Sequence, residues 1–196
     1  MRVIAGSARG RKLFSPVGKA KNQPIRPTSD RCRESVLSIL GQELISGSRV
    51  LDLFAGTGAL GIEALSRNAS EVVFIDNSFT SINLIKKNIQ ALGFSSCRLF
   101  KRDIMKGLFF LQKSIAKRPN KSGRFIFDLV FVDPPYQKNY CNQVLTQLVD
   151  NGLVVQGGTI VCEEHRLCNF PEDIGPLTLY DHRIYGDTGF WFYVLE

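Results

Sequence analysis

Hydrophobic residues along this chain fall into two alternating rhythms, and each rhythm predicts an element. Runs rich in β-branched and aromatic residues read as strands at Val50–Phe54, Val72–Asp76, Arg98–Phe100, Ile126–Val132 and Thr159–Glu163. Between them, apolar residues three and four apart predict helices over Ala59–Ser66, Ser78–Leu92, Ile104–Lys113 and Asn139–Val149. Upstream, Pro27-Thr28-Ser29-Asp30 is a helix-start signature, followed by an apolar face of Cys32, Val36, Ile39 and Leu40 and a stop near Gly41. This βαβα order predicts an α/β fold with a doubly wound, mostly parallel, seven-stranded sheet and helices on both faces. At the end, Leu177–Tyr185 and Thr188–Leu195 flank Gly186-Asp187 and predict an antiparallel hairpin closing one edge. The basic stretch Lys113–Arg124 breaks the pattern and reads as a solvated linker.

The strand Phe127–Val132 ends abruptly in Asp133-Pro134-Pro135-Tyr136. Two consecutive prolines forbid its continuation, and in an open α/β sheet ligands bind at the carboxyl ends of strands. The fixed φ of the prolines holds the Pro134 carbonyl rigidly beside the Asp133 carboxylate. Two acceptors and the flat ring of Tyr136 suit a planar group carrying an amine: the amine donates twice and the ring stacks. An exocyclic amine of a nucleobase is the natural candidate.

A second motif closes the first strand: Asp52-Leu53-Phe54-Ala55-Gly56-Thr57-Gly58-Ala59-Leu60-Gly61. Gly56, Gly58 and Gly61 satisfy G-x-G-x-x-G, and Asp76 follows Gly58 by 18 residues, near the spacing of a ribose-binding acid. Spacing alone would make this a dinucleotide site. A pyrophosphate, however, needs a helix N-terminus free of nearby anions, and Asp52 and Asp133 both stand at strand ends. Carboxylates around a glycine loop suit a cation such as S-adenosylmethionine, with its ammonium and sulfonium. On that reading the backbone from Phe54 through Ala55, Gly56 and Thr57 to Gly58 admits the amino-acid part. Asp76, with Asn77 beside it, holds the ribose. Asp103, followed by Ile104, accepts from the adenine amine.

Charge names the partner. Residues 1–40 hold nine Lys/Arg against Asp30 and Glu34, which accounts for the whole formal charge of +7; the remainder balances at sixteen of each sign. Arg2, Arg9, Arg11, Lys12, Arg26 and Arg33 are the candidate phosphate contacts of an N-terminal arm. Interleaved Val3, Ile4, Gly6, Gly10, Leu13 and Phe14 predict an ordered hairpin there. The five cysteines are odd in number and scattered, as in a cytosolic protein with reduced thiols. Cys162, His165 and Cys168 have no fourth ligand at a recognised spacing, so no metal is expected. No apolar stretch approaches the roughly 20 residues needed to span a bilayer, and no membrane contact or secretion signal is expected.

These motifs resemble the class I S-adenosylmethionine-dependent methyltransferases, and Asp133-Pro134-Pro135-Tyr136 looks like the [DNS]-P-P-[YFW] motif of those that methylate exocyclic amines in nucleic acid. Three segments go further: Arg2-Val3-Ile4-Ala5-Gly6-Ser7-Ala8-Arg9-Gly10-Arg11-Lys12-Leu13, then Arg26-Pro27-Thr28-Ser29-Asp30-Arg31-Cys32-Arg33-Glu34, then the glycine loop running on to Arg67. They resemble the bacterial 16S ribosomal RNA guanine-N2 methyltransferases of the RsmD family, over nearly the whole chain. Asp76 stands where Glu is common in that family, and the stretch from Asp103 to Asp133 is longer than its pattern. The resemblance implies a Rossmann-like methyltransferase domain over residues 46–196 and a basic arm and helix over 1–45 that contacts RNA. It also implies S-adenosylmethionine as donor, S-adenosylhomocysteine as product, and ribosomal RNA or the assembled small subunit as partner of a cytoplasmic monomer. Two other readings stand beside it: an adenine-amine methyltransferase acting on DNA or RNA, and a nucleotide-sensing RNA-binding module without catalysis.

Overall fold

A computed structural model describes residues 1–15, 30–115, 126–136 and 139–196. The expected helix start at Pro27-Thr28-Ser29, the candidate contact Arg26 and most of the Lys113–Arg124 linker lie outside these residues. Two compact units, Met1–Arg102 and Asp103–Glu196, make up the chain.

The first unit holds α1 (Asp30–Ile45), β1 (Arg49–Leu53), α2 (Ala59–Ser66), β2 (Glu71–Asp76), α3 (Phe79–Leu92) and β3 (Cys97–Lys101). Its strands lie in the order β3-β2-β1 and are all parallel, with Leu51 opposite Val73 and Phe74 opposite Leu99. Residues Val72–Ile75 are fully buried, as a strand covered on both faces requires. At Gly61 an added Cβ would come within 2.3 Å of the Phe74 ring, so only glycine lets α2 lie this close to β2. The Ser78 hydroxyl caps α3 by accepting from the Ser81 N–H, and Gly93 closes the helix in the left-handed region.

Helix α1 corrects one expectation. Its buried face is Arg33, Val36, Leu37 and Leu40, whereas Ile39 is exposed. Gly41, expected as a stop, sits inside the helix at φ 74° as a kink, and the chain coils on to Ile45, which is buried. The N-terminal arm forms the expected hairpin, with an antiparallel bridge between Arg2 and Lys12. It is docked on α2 through main-chain atoms: the Ser7 N–H donates to the Ser66 carbonyl at 2.7 Å and the Ala8 N–H to the Ser66 hydroxyl at 3.0 Å. Gly6 (φ 79°) makes this approach possible, since a Cβ there would stand 1.8 Å from the Ser66 oxygen.

The second unit holds α4 (Phe110–Ile115), β4 (Phe127–Val132), α5 (Tyr140–Asp150), β5 (Val154–His165), β6 (Asp173–Ile174), β7 (Leu177–Tyr185) and β8 (Thr188–Leu195). Strands β4 and β5 are parallel; β8, β7 and β6 follow antiparallel, in the order β4-β5-β8-β7-β6. The C-terminal hairpin matches its expected bounds. Among the described residues the two units together contain eight strands where seven were expected, because the two-residue β6 is too short to leave a pattern. The helix expected over 104–113 is broken: Gly107 (φ 109°) separates a 3-10 turn at Ile104–Lys106 from α4. Strand β5 is more than twice as long as expected, because its first half passes through Gly157-Gly158 and pairs irregularly with β4.

Candidate functional site

In the first unit, the loop between β1 and α2 is wound tightly. Phe54 (φ 57°), Gly56 (φ 54°) and Gly58 (φ 76°) all occupy the left-handed region. A phenylalanine there is strained, and such strain concentrates at ligand-binding turns. The loop is held from outside itself. Asp76, at the tip of β2, accepts from the Gly56 N–H at 2.8 Å with one oxygen and from the Ser78 N–H at 2.7 Å with the other. Asn88, almost wholly buried on α3, donates to the Thr57 carbonyl at 3.2 Å and grips the arm on both sides of Phe14: it accepts from the Phe14 N–H at 2.7 Å and donates to its carbonyl at 3.1 Å. Asn77 is exposed beside Asp76. The glycine loop and the acid of β2 thus lie together as the sequence places them.

Asp52 differs from its expected part. It is only 2% exposed, and its Oδ2 accepts from the Gly61 N–H at 3.0 Å, so it fastens the first turn of α2. Burial, more than the nearby Asp76 charge, pushes its carboxyl from the ordinary 3.8 up to about 8, against the lowering effect of the Gly61 bond. Between those two values the folded protein retains a proton that the unfolded chain releases. Stability from this group is therefore lost as pH rises from about 4 through 8, by an amount on the order of a few kcal/mol. Asp52→Asn, which keeps the acceptor for Gly61, is expected to flatten that slope; urea unfolding of both proteins at pH 5 and pH 8 measures the difference.

In the second unit, Asp133 to Tyr136 leave β4 as an irregular tip, with Pro134 buried and Pro135 exposed. The Tyr136 hydroxyl donates to Glu163 Oε1 at 3.0 Å and pairs with the Thr188 hydroxyl at 3.0 Å. Glu163 and Thr188 come from the paired strands β5 and β8, a long-range support no local motif announces. Burial, and next the Glu163 carboxylate, push the Tyr136 phenol well up, so it stays protonated and keeps donating. The two bonds thereby fix the ring. Tyr136→Phe keeps the ring but loses both bonds, and is expected to lower kcat/KM about tenfold, the equivalent of roughly one lost hydrogen bond. Steady-state kinetics with the methyl acceptor expected from the sequence would show it; unchanged kinetics would mean that the ring's orientation is irrelevant. Asp103 opens the 3-10 turn and accepts from the Met105 N–H at 3.1 Å, and Ile104 beside it is buried.

The arm's cations divide. Arg2, Arg9, Arg11 and Lys12 are exposed. Arg11 also donates to the Ala91 and Leu92 carbonyls at the end of α3. Arg33 is fully buried: its Nη2 donates to the Arg2 carbonyl at 2.6 Å and to Asp30 at 3.0 Å, and its Nε lies 3.6 Å from Glu63. It cannot reach a phosphate and is withdrawn from the expected RNA contacts. Its place in the series 33, 36, 37, 40, the helical repeat of the buried face, was the signal for this. Among the described residues no group of three or more His, Cys, Asp or Glu is arranged to hold a metal, none of the five cysteines is in a disulfide, and no helix is long and apolar enough to cross a membrane.

Comparison with known proteins gives this geometry its context. A family model described as "Conserved hypothetical protein 95" matches residues 1–194. The chain is 36% identical over 190 residues to "Putative rRNA methyltransferase YlbH" of Bacillus subtilis, covering 96% of each protein. It is 37% identical over 168 residues to "Ribosomal RNA small subunit methyltransferase D" of Haemophilus influenzae, covering 85% of this chain and 79% of the relative. Among solved structures, "Putative methyltransferase yhhF from Escherichia coli" superposes with a TM-score of 0.82 at 31% identity, covering 100% of this chain and 98% of that one. The fold is thus the α/β methyltransferase fold, a mostly parallel sheet with C-terminal antiparallel strands, and the chain belongs to the family of the ribosomal RNA small subunit methyltransferases D.

Proposed function

We propose that this chain transfers a methyl group from S-adenosylmethionine to the exocyclic 2-amino group of a guanine in 16S ribosomal RNA, acting as a monomer on naked RNA or on the assembled small subunit. The observation that carries the reading is the Asp133-Pro134-Pro135-Tyr136 tip, with its ring locked by Glu163 and Thr188. The donor's residues fit. Asp76 organises the Gly56 and Ser78 amides. A Cβ at Gly56 would meet nothing nearer than 3.8 Å, so its backbone is open to a close-lying ligand. When bound, S-adenosylmethionine supplies an electrophilic methyl on a sulfonium. Phe54 to Gly58 receive its amino-acid part, Asp76 and Asn77 its ribose, and Asp103 and Ile104 its adenine; Asp52 acts at one remove, by fixing the loop.

The chain's part in the chemistry follows from what an aromatic amine lacks. Its lone pair is delocalised into the ring. When the amine donates to the Asp133 carboxylate and the Pro134 carbonyl, the nitrogen is turned toward the geometry in which the pair is localised and can attack. Tyr136 stacks on the extruded base and offsets part of the unstacking cost of a few kcal/mol. Positioning supplies much of the acceleration, and no covalent nucleophile is needed. Arg2, Arg9, Arg11 and Lys12, with Arg26, hold the RNA backbone, so residues 1–45 serve as the RNA-contacting part and 46–196 as the methyltransferase domain.

The test is transfer of labelled methyl to 16S ribosomal RNA, naked and in particles, followed by nucleoside analysis. N2-methylguanosine is the expected product. N6-methyladenosine would assign the tip to the other purine, and binding of NAD in preference to S-adenosylmethionine would overturn the reading altogether.

A further inference from the structure

Within the first unit, the glycine loop proposed to receive the donor's amino-acid part is tied to the N-terminal arm by one side chain, Asn88 of α3. Its carboxamide is 1% exposed. It donates to the Thr57 carbonyl of the loop at 3.2 Å and to the Phe14 carbonyl of the arm at 3.1 Å, while its oxygen accepts from the Phe14 N–H at 2.7 Å. Only one orientation of the amide serves this set, since a flipped amide would turn its oxygen toward two carbonyls. A second, weaker contact joins the same segments: the Thr57 hydroxyl donates to the Met1 sulfur at 3.9 Å.

The bond to Thr57 matters because of where it falls. Thr57 lies between Gly56 and Gly58, both in the left-handed region, and glycines let the adjoining peptide planes rotate at little cost. The Thr57–Gly58 peptide is instead held at both ends, its carbonyl by Asn88 and its N–H by the Ala55 carbonyl at 2.6 Å. Asp76 holds the Gly56 N–H separately at 2.8 Å. The loop therefore has two outside anchors. Asp76 belongs to the donor site itself, whereas Asn88 is shared with the arm. With the arm docked, the two bonds to Phe14 keep the carboxamide in the orientation that reaches Thr57. With the arm away, the carboxamide is released to water and the loop loses a pre-set donor.

We propose that Asn88 is a positioning residue for methyl transfer, through which docking of the arm sets the affinity of the glycine loop for S-adenosylmethionine. Linkage makes the effect mutual: bound donor, by ordering the loop, holds the arm down by the same factor by which the arm improves donor binding. A protein built in this way presents the exposed cations Arg2, Arg9 and Lys12 on a firm arm when it is loaded with donor. The inference rests on the proposed function, since it requires the donor to lie on the glycine loop.

The test uses the full chain and loosens the link from its two ends. Asn88→Ala removes the bonds to Thr57 and Phe14 together. Gly6→Ala puts a Cβ 1.8 Å from the Ser66 oxygen, which lifts the arm without touching the loop. Each variant is expected to weaken S-adenosylmethionine binding about five- to tenfold by isothermal titration calorimetry. The double variant should lose no more than about twofold beyond either single one, because both act by one route. Independent structural roles would give additive losses instead. In the wild-type protein, saturating S-adenosylmethionine is expected to slow backbone hydrogen exchange in residues 1–15 about fivefold more than in β8, and in Asn88→Ala that difference should vanish. If a variant does not fold, the wild-type exchange measurement decides alone. Wild-type donor affinity in a folded Gly6→Ala, additive losses in the double variant, or arm exchange unmoved by bound donor would each overturn the link while leaving the donor site in place. Absence of S-adenosylmethionine binding to the wild-type protein would instead remove the function reading, and the link with it.

Discussion

Asp133→Ala is expected to reduce kcat for methyl transfer about 10³-fold while leaving RNA and S-adenosylmethionine affinity within a few-fold of wild type. The carboxylate bonds most strongly to the amine when the nitrogen develops positive charge, so its loss falls on the transition state rather than on binding. Asp133 stands at the half-exposed tip of β4, outside the packed core, so truncation opens no large cavity and the protein should fold normally. Asp133→Asn keeps one acceptor of the same shape but no charge, and should lie between the two. Single-turnover kinetics with labelled donor, beside a binding titration, separate the two effects. Full activity in Asp133→Ala would remove the tip from the mechanism and with it the main support for the proposed function.

The second large effect concerns stability. Glu63 is fully buried on α2 and accepts from the Ile4 N–H of the arm at 2.5 Å; its carboxylate lies 3.6 Å from Arg33 and 3.8 Å from Arg67. Burial raises its pKa, and the Ile4 bond and the two arginines work against that shift. In Glu63→Ala the wholly buried Arg33 keeps only the half-exposed Asp30 as counter-charge, and the arm loses an anchor. Removing one partner of a buried ion pair costs about 3–5 kcal/mol, and with Asp30 retained the loss falls at the lower end, which for a chain of this size lowers Tm by about 10 °C. Glu63→Gln retains the acceptor for Ile4 and should fall roughly halfway. Thermal unfolding followed by circular dichroism measures both; a variant as stable as wild type would mean that the arm and α1 are held without the buried pair.

Strand β4 and its tip could be read almost residue by residue, because a β-branched run stopped by two prolines allows one interpretation. The glycine loop was equally legible, and Gly61 is required by packing against Phe74. Reading failed where tertiary partners decide. The charge of Arg33 places it with the arm's cations, since charge usually means solvent, yet its helical spacing aligns it with Val36, Leu37 and Leu40. Ile39 went the other way, an apolar side chain left outside. Glu63, a lone acid in a helix that is otherwise apolar or small, was a legible hint of a buried partner. Glu163 and Thr188, the supports of Tyr136, meet only through the pairing of β5 with β8, and nothing within a few residues of either foretells it.

Most of the arm's hydrogen bonds to the helices come from its main chain, beside the Arg11 side chain and the buried Val3 and Leu13. Ile4, Ala5, Ser7, Ala8 and Phe14 meet α2 and α3 through amide and carbonyl atoms, and the Arg2 carbonyl receives Arg33. Anchorage and surface chemistry are consequently assigned to different atoms of the same residues. Apart from Gly6, whose missing side chain the docking demands, the outward side chains of Arg2, Arg9 and Lys12 are free to vary without loosening the arm. Evolution, or an engineer, can retune the charge this protein shows to its partner while the fold that carries it stays as it is.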